Sequence, residues 1–187
     1  MTSLTGTYGD WNAVPAVAPR LRHSHDILLA GEVLMQTRAH GLGGAGVTAQ
    51  MYLPLARAHA WSQLSHYSRW VQYFPDIVRS EVIERGPKRQ RLYQVARKAF
   101  LIFNAQVDIY LSVFELTNQQ IQFRLEQGTF SDFRADLTLQ DYDSGTLITY
   151  DVQATPLLFV PSFLIEQAIQ QDLPGNMKKM RGVLCAA

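Results

Sequence analysis

The chain has 187 residues, 47% hydrophobic and 18% charged, with one cysteine and a formal net charge of +1. That length holds one domain with a short extension, and a chain of this size buries roughly 70% of its unfolded surface without disulfides or metal. A lone cysteine excludes an internal disulfide and a cysteine-based metal cluster. The balance of 17 basic and 16 acidic residues argues against a dedicated nucleic-acid binder.

In chain order, residues 1–30 are rich in Gly, Pro, Ser and Thr and lack the apolar run of a signal-peptide core. They read as a loosely ordered extension before a domain spanning 31–187. His23-Ser24-His25-Asp26, inside that extension, reads as a surface feature, since a metal site needs further ligands and a rigid frame. Residues 47–53 read as a strand that continues one at 32–40 across a glycine loop. Gly41 to Gly46 formally match G-x-G-x-x-G, but a dinucleotide site needs a helix next and an acid about 20 residues on. Here a strand follows, and no acidic residue lies between Val33 and Pro75. Two short helices come next, the second carrying Tyr67, Trp70, Val71 and Phe74 at helical spacing until Pro75. His59 and His66 fall in this region without a third ligand.

Strands separated by turn residues then predict an antiparallel meander over 77–85, 89–100, 105–116, 121–126, 133–140 and 146–154. The third carries Val107, Ile109 and Leu111 in alternation. Ile121, Phe123 and Leu125 share one face of the fourth, Phe133, Ala135, Leu137 and Leu139 of the fifth, and Ile148, Tyr150 and Val152 of the sixth. The second is ambiguous. One face offers Tyr93 and Arg97 to the interior, the other Gln94 and Lys98, and an inward charge needs a partner. Asp132, Asp136, Asp141 and Asp143 read as solvated carboxylates, and no G-x-S-x-G elbow supports a hydrolase. Ile165, Ile169, Leu173, Met177, Met180 and Leu184 form a helical stripe about 20 residues long, capped by Ser162. Pro174-Gly175 either kinks that helix or divides it in two.

The expected fold class is α+β: a curved antiparallel sheet of six or seven strands wrapped around a long C-terminal helix, with two short helices after the first strand. A helix crossing a curved sheet cannot touch every strand. Empty volume costs roughly 24 cal/mol per Å³, so a ligand-sized void would cost about as much as a domain's whole net stability. Any such cavity should be occupied.

Trp61-x-x-Leu64-x-x-Tyr67-x-x-Trp70-x-x-Tyr73-Phe74-Pro75-x-Ile77, Gly128-x-Phe130-x-x-Phe133 and Asp172-Leu173-Pro174-x-Asn176 resemble the START-like polyketide cyclase/dehydrase family. That family includes coenzyme Q-binding proteins and has the helix-grip fold, and the wording is similar to uncharacterised members of photosynthetic bacteria and plastids. The family often has an Asp where His66 stands here. The resemblance implies a hydrophobic cavity for lipids, quinones, polyketides or pigments, and it implies no catalytic residue, metal or cofactor.

The leading expectation is therefore a carrier of an isoprenoid quinone, lipid or pigment. Its cavity would be lined by Tyr93, Arg97, Val107, Ile109, Leu111, Ile121, Phe123, Leu125, Phe133, Leu137 and Tyr150, under a lid of Ile165, Ile169, Leu173 and Met177. Gln167 is a further polar candidate, and cargo would enter near the loop at 156–161. The alternatives are a cyclase or dehydrase using Tyr93, Arg97 or Tyr150, and an interaction module with a vestigial cavity. Residues 1–100 hold 12 basic and 6 acidic residues, and Arg85, Lys88, Arg89, Arg91, Arg97 and Lys98 run without an acid. That hairpin suggests contact with an anionic membrane or an acidic partner. The expected location is the cytoplasm, with peripheral membrane contact.

Overall fold

The computed structural model describes residues 17–41, 43–99, 104–157, 170 and 172–186. It opens with helix α1 (Val17–Leu29) and the hairpin β1 (Val33–His40) and β2 (Gly44–Leu53). Helix α2 (Arg57–Leu64), a single 3-10 turn (Tyr67–Arg69) and the short α3 (Trp70–Tyr73) follow. Then come β3 (Ile77–Arg85), β4 (Gln90–Ala99), β5 (Asn104–Leu116), β6 (Gln120–Gly128), β7 (Phe130–Tyr142) and β8 (Gly145–Pro156), and the helix α4 (Leu173–Cys185).

The strands form one antiparallel sheet of eight, in the order β1-β2-β8-β7-β6-β5-β4-β3. The short helices carry the chain from β2 to the far edge, and the order then returns strand by strand, with tight turns at 117–119 and 143–144 among the connections. Asn118 (φ 60°) and Asp143 (φ 49°) take the left-handed conformation in two of these turns, which their short polar side chains tolerate. The count exceeds the expected six or seven because 32–40 and 47–53 are not one interrupted strand. They fold back on each other, pairing from Val33↔Met51 to His40↔Gly44. The glycine loop is the turn of that hairpin, with Gly41 (φ 56°) and Gly43 (φ 77°) in conformations disfavoured for other residues.

Residues 17–29, assigned by composition to a loose extension, are helical instead. Tyr52 and Leu147 lie opposite each other in register, on the face of the sheet away from the main core. Leu28, 3% exposed, closes over them with Leu34 and Tyr142 beside it. His25 Nδ1 lies 2.8 Å from the Tyr142 hydroxyl. The tertiary contact supplies what the local sequence lacks.

On the other face, α4 buries Met177, Met180 and Leu184 against the sheet and α3. Pro174 sits in the first turn of the described helix, where a missing N–H costs nothing. The upstream half of the predicted stripe, with Ile165 and Ile169, lies outside the described residues, as does Gln167. Gln63 Nε2 donates to the Leu184 carbonyl at 3.1 Å, satisfying one of the acceptors that a helix end leaves open. Tyr67, Trp70, Phe74 and Phe123 form the aromatic centre of this core, with Trp70 and Phe123 edge to face at 5.0 Å.

Candidate functional site

The concave face of the sheet is built by strand alternation, and its burial changes along every strand. On β8, Ile148 is fully buried, whereas Tyr150 and Val152 are half-buried. On β7, Leu139, Leu137 and Ala135 are buried, and Phe133 is half-open. The same holds for Ile121 and Phe123 before Leu125 on β6, and for Leu111 and Ile109 before Val107 on β5. One end of this face, beneath α2 and α3, therefore buries these residues. The other, where β8 ends at Pro156, keeps accessible apolar surface turned inward.

Eleven of the fifteen residues expected to line a cavity share this one apolar cluster: Val107, Ile109, Leu111, Ile121, Phe123, Leu125, Phe133, Leu137, Tyr150, Leu173 and Met177. Ile165 and Ile169 lie outside the described residues. Tyr93 and Arg97 stand on the opposite face. The register pairs Leu92 with Leu111 and Gln94 with Ile109, so Leu92, Gln94 and Ala96 face inward. Tyr93 stacks on Tyr110 at 4.6 Å, donates to Asp108 Oδ1 at 2.8 Å and lies under the Arg79 guanidinium. Arg97 donates to Gln106 Oε1. Gln94 is the inward polar residue, and its amide is used up on Ser80, whose hydroxyl donates to the Tyr67 carbonyl.

Residues of this cluster that the expected lining left out include Ala49, Phe74, Phe130 and Val152. Ala49 lies directly across from Tyr150, with Leu137 on the other side, and the Phe74 ring is 6.2 Å away. The available signal is the alternation Val47, Ala49, Met51 on β2, together with Val152 on the same face of β8 as Tyr150. Desolvation alone raises the Tyr150 phenol well above its ordinary value, so protein surrounds it. It nevertheless keeps accessible surface. Tyr150 therefore lines a recess on the inner face of the sheet.

The wall has a second irregularity. β6 and β7 pair only from Gln120↔Thr138 to Arg124↔Arg134, then diverge toward the tip at Thr129. A cleft of about 460 Å³ opens there, lined by Leu125, Glu126, Asp132, Phe133 and Arg134 among others. Leu125 and Phe133 belong both to this cleft and to the inner cluster. The tip itself is pinned: Thr129 N donates to the Asp108 carbonyl at 3.0 Å, and Leu157 N donates to the Thr129 carbonyl at 3.1 Å.

Charge is confined to the outside of the sheet. Arg89 and Arg91 of the basic hairpin each reach Glu126 at 2.7 Å, and Arg91 also reaches Glu84 at 3.3 Å. Two of the six cations of the expected positive patch are thus paired within the sheet. Asp136 pairs with Arg124 at 2.7 Å, Asp132 with His40 at 2.6 Å, and Asp151 with Arg38 at 2.7 Å. Desolvation pushes the Glu126 and Asp151 carboxyls up. Hydroxyl bonds from Ser112 and Thr48 and the adjacent guanidiniums outweigh it and hold both below their usual range. Both groups therefore ionise more readily in the folded chain than in the unfolded one, where the values are about 4.3 and about 3.9. Their stabilisation is complete above those values and is lost as pH falls through the lower folded ones. Urea midpoints should be lower at pH 3 than at pH 6, and substituting Glu126→Gln should shrink the difference.

A sequence model of the family described as polyketide cyclase/dehydrase and lipid transport matches residues 53–181. The chain belongs to that family. Solved structures agree on the START-like helix-grip fold. The STAR-related lipid transfer protein of Xanthomonas axonopodis has a TM-score of 0.65 at 17% identity, with 82% of this chain and 93% of that one covered. Human STARD10 gives 0.63 at 16%, covering 92% and 80%, and the Zhui aromatase/cyclase of a Streptomyces species 0.63 at 11%, covering 81% and 94%. No curated protein sequence matches the chain. Among the described residues, no helix is long and apolar enough to cross a membrane.

Proposed function

We propose that this chain carries an apolar small molecule of the isoprenoid quinone, lipid or pigment class between its sheet and C-terminal helix. The observation that supports this reading is the inward apolar surface left accessible toward the end of β8, at Val107, Leu125, Phe133, Tyr150 and Val152. Covering about 300 Å² of such surface is worth roughly 7 kcal/mol before the costs of association, enough for useful affinity without chemistry. Leu157, 60% exposed just beyond β8, gives the mouth an apolar contact for handing cargo to a membrane. The enzyme reading loses two of its three suspects, because Tyr93 and Arg97 face outward. The third, Tyr150, is held in its protonated form, which suits it to donate a hydrogen bond and not to act as a base.

Organic extraction and native mass spectrometry of freshly purified protein should show a co-purifying apolar molecule. Leu125→Trp should abolish it while the circular dichroism stays unchanged, since the added ring projects from the half-buried end of β6. A wild-type chain that brings no such molecule and takes up none from liposomes would overturn the carrier reading.

A further inference from the structure

Buried polar side chains around the core are satisfied by the protein itself. Trp70 Nε1 donates to the Leu64 carbonyl at 2.8 Å, the Tyr73 hydroxyl to the Gln63 carbonyl at 3.2 Å, and the Thr146 hydroxyl to the Leu55 carbonyl at 2.7 Å. Gln94 and Ser80 bond to each other at 3.1 Å. The Tyr150 hydroxyl has no partner among the described residues. No fully occluded side-chain nitrogen or oxygen among them lacks a hydrogen bond, so this hydroxyl itself reaches open space. That space lies on the core side of the sheet, because the ring sits between Ala49 and Leu137 with Phe74 6.2 Å away. An unpaired hydroxyl in such surroundings costs about 1–3 kcal/mol relative to a paired one. A bound molecule can supply the missing partner.

From this geometry we infer that the cargo carries an uncharged hydrogen-bond-accepting oxygen of carbonyl type within its apolar body, and that Tyr150 donates to it. This rests on the carrier reading and narrows it: a pure hydrocarbon leaves the hydroxyl unpaired. A phenol is a better donor than acceptor, which favours ketone, quinone or ester oxygens. A carboxylate is disfavoured, because it would need a cation. Arg38, Arg91, Arg97, Arg124 and Arg134 all reach partners on the outer face. Val152 and Phe133, half-buried on the same inner face, provide apolar surface for the rest of the molecule.

The test compares benzophenone with diphenylmethane, which differ only in the carbonyl, on the full chain and on Tyr150→Phe. The wild type should bind benzophenone relative to diphenylmethane about 3- to 10-fold better than the variant does. Diphenylmethane affinity should not fall in the variant, because that ligand offers the hydroxyl no partner. The infrared carbonyl stretch of bound, carbon-13-labelled benzophenone should lie near its value in alcohol for the wild type, and near its value in hexane for the variant. Both compounds bound with the same ratio in the two proteins, or a hexane-like stretch in the wild type, would overturn the inference and leave the carrier reading standing. Failure of the wild type to take up either compound would overturn both. The infrared arm on the wild type keeps the test decisive even if the variant folds poorly.

Discussion

Phe123→Ala should cost about 3–5 kcal/mol of folding stability, a large share of the roughly 5–15 kcal/mol available to a domain. Phe123 is 2% exposed and meets Trp70 edge to face at 5.0 Å and Tyr67 at 6.0 Å. Its neighbours are held from several directions. Trp70 is tied to the Leu64 carbonyl, and the Tyr67 hydroxyl donates to the Glu115 carboxylate. They cannot collapse into the space the ring leaves. Urea titration should show a lower midpoint at an unchanged slope. Phe133→Ala, the same truncation at the half-open end, should cost only about 1 kcal/mol, because its ring already borders free space. Equal losses at the two sites would contradict the division of the sheet into a packed end and an open one.

Gly128→Ala should detach the β6–β7 tip from β5, at a cost of about 3 kcal/mol when backbone strain and lost hydrogen bonds are combined. Gly128 has φ 148°, and an added Cβ would run into the Asp108 carbonyl oxygen and stand 2.8 Å from Ile109 Cα. These obstacles are backbone and cannot swing aside. The next residue anchors the tip: Thr129 N and Oγ1 both bond the Asp108 carbonyl at 3.0 Å, and Asp108 N donates back to Thr129 Oγ1 at 2.8 Å. Hydrogen exchange should accelerate at 108–109 and 128–133 in the variant while 120–124 stay protected. Uniform protection would mean that the tip tolerates a side chain.

The inner faces of β6, β7 and β8 are legible in the sequence because each alternates between apolar and polar residues, and only one assignment keeps the charges wet. β4 lacks that property. Leu92, Gln94 and Ala96 form one row and Arg91, Tyr93, Val95 and Arg97 the other, and both mix apolar with polar groups. What decides is the pairing of Leu92 with Leu111 and Gln94 with Ile109, a register that alternation within β4 does not set. Tyr93 and Arg97 are consequently misplaced by local reasoning.

α1 is illegible for a different reason. Its own residues argue weakly for a helix, and the force that orders it comes from Tyr52 and Leu147, more than 20 residues away. The clue lies in β2, where Met51, Tyr52 and Leu53 are apolar on both faces and all buried. Such a strand needs cover on each side. The basic run at 85–98 is met in part by acids from outside it. Its neutralising acids, Glu84 and Glu126, include one that a later strand brings alongside.

The incomplete β6–β7 ladder has a consequence for how the interior fills. Its five residue pairs end at Arg124↔Arg134, and the tip beyond is fastened through Thr129. Between those two fixed points the wall has a slot, apolar within at Leu125 and Phe133 and polar outside at Asp132 and Arg134. On the carrier reading, the unpaired stretch beside Leu125 and Phe133 is the part of the wall that can yield to a cargo's shape without breaking strand hydrogen bonds.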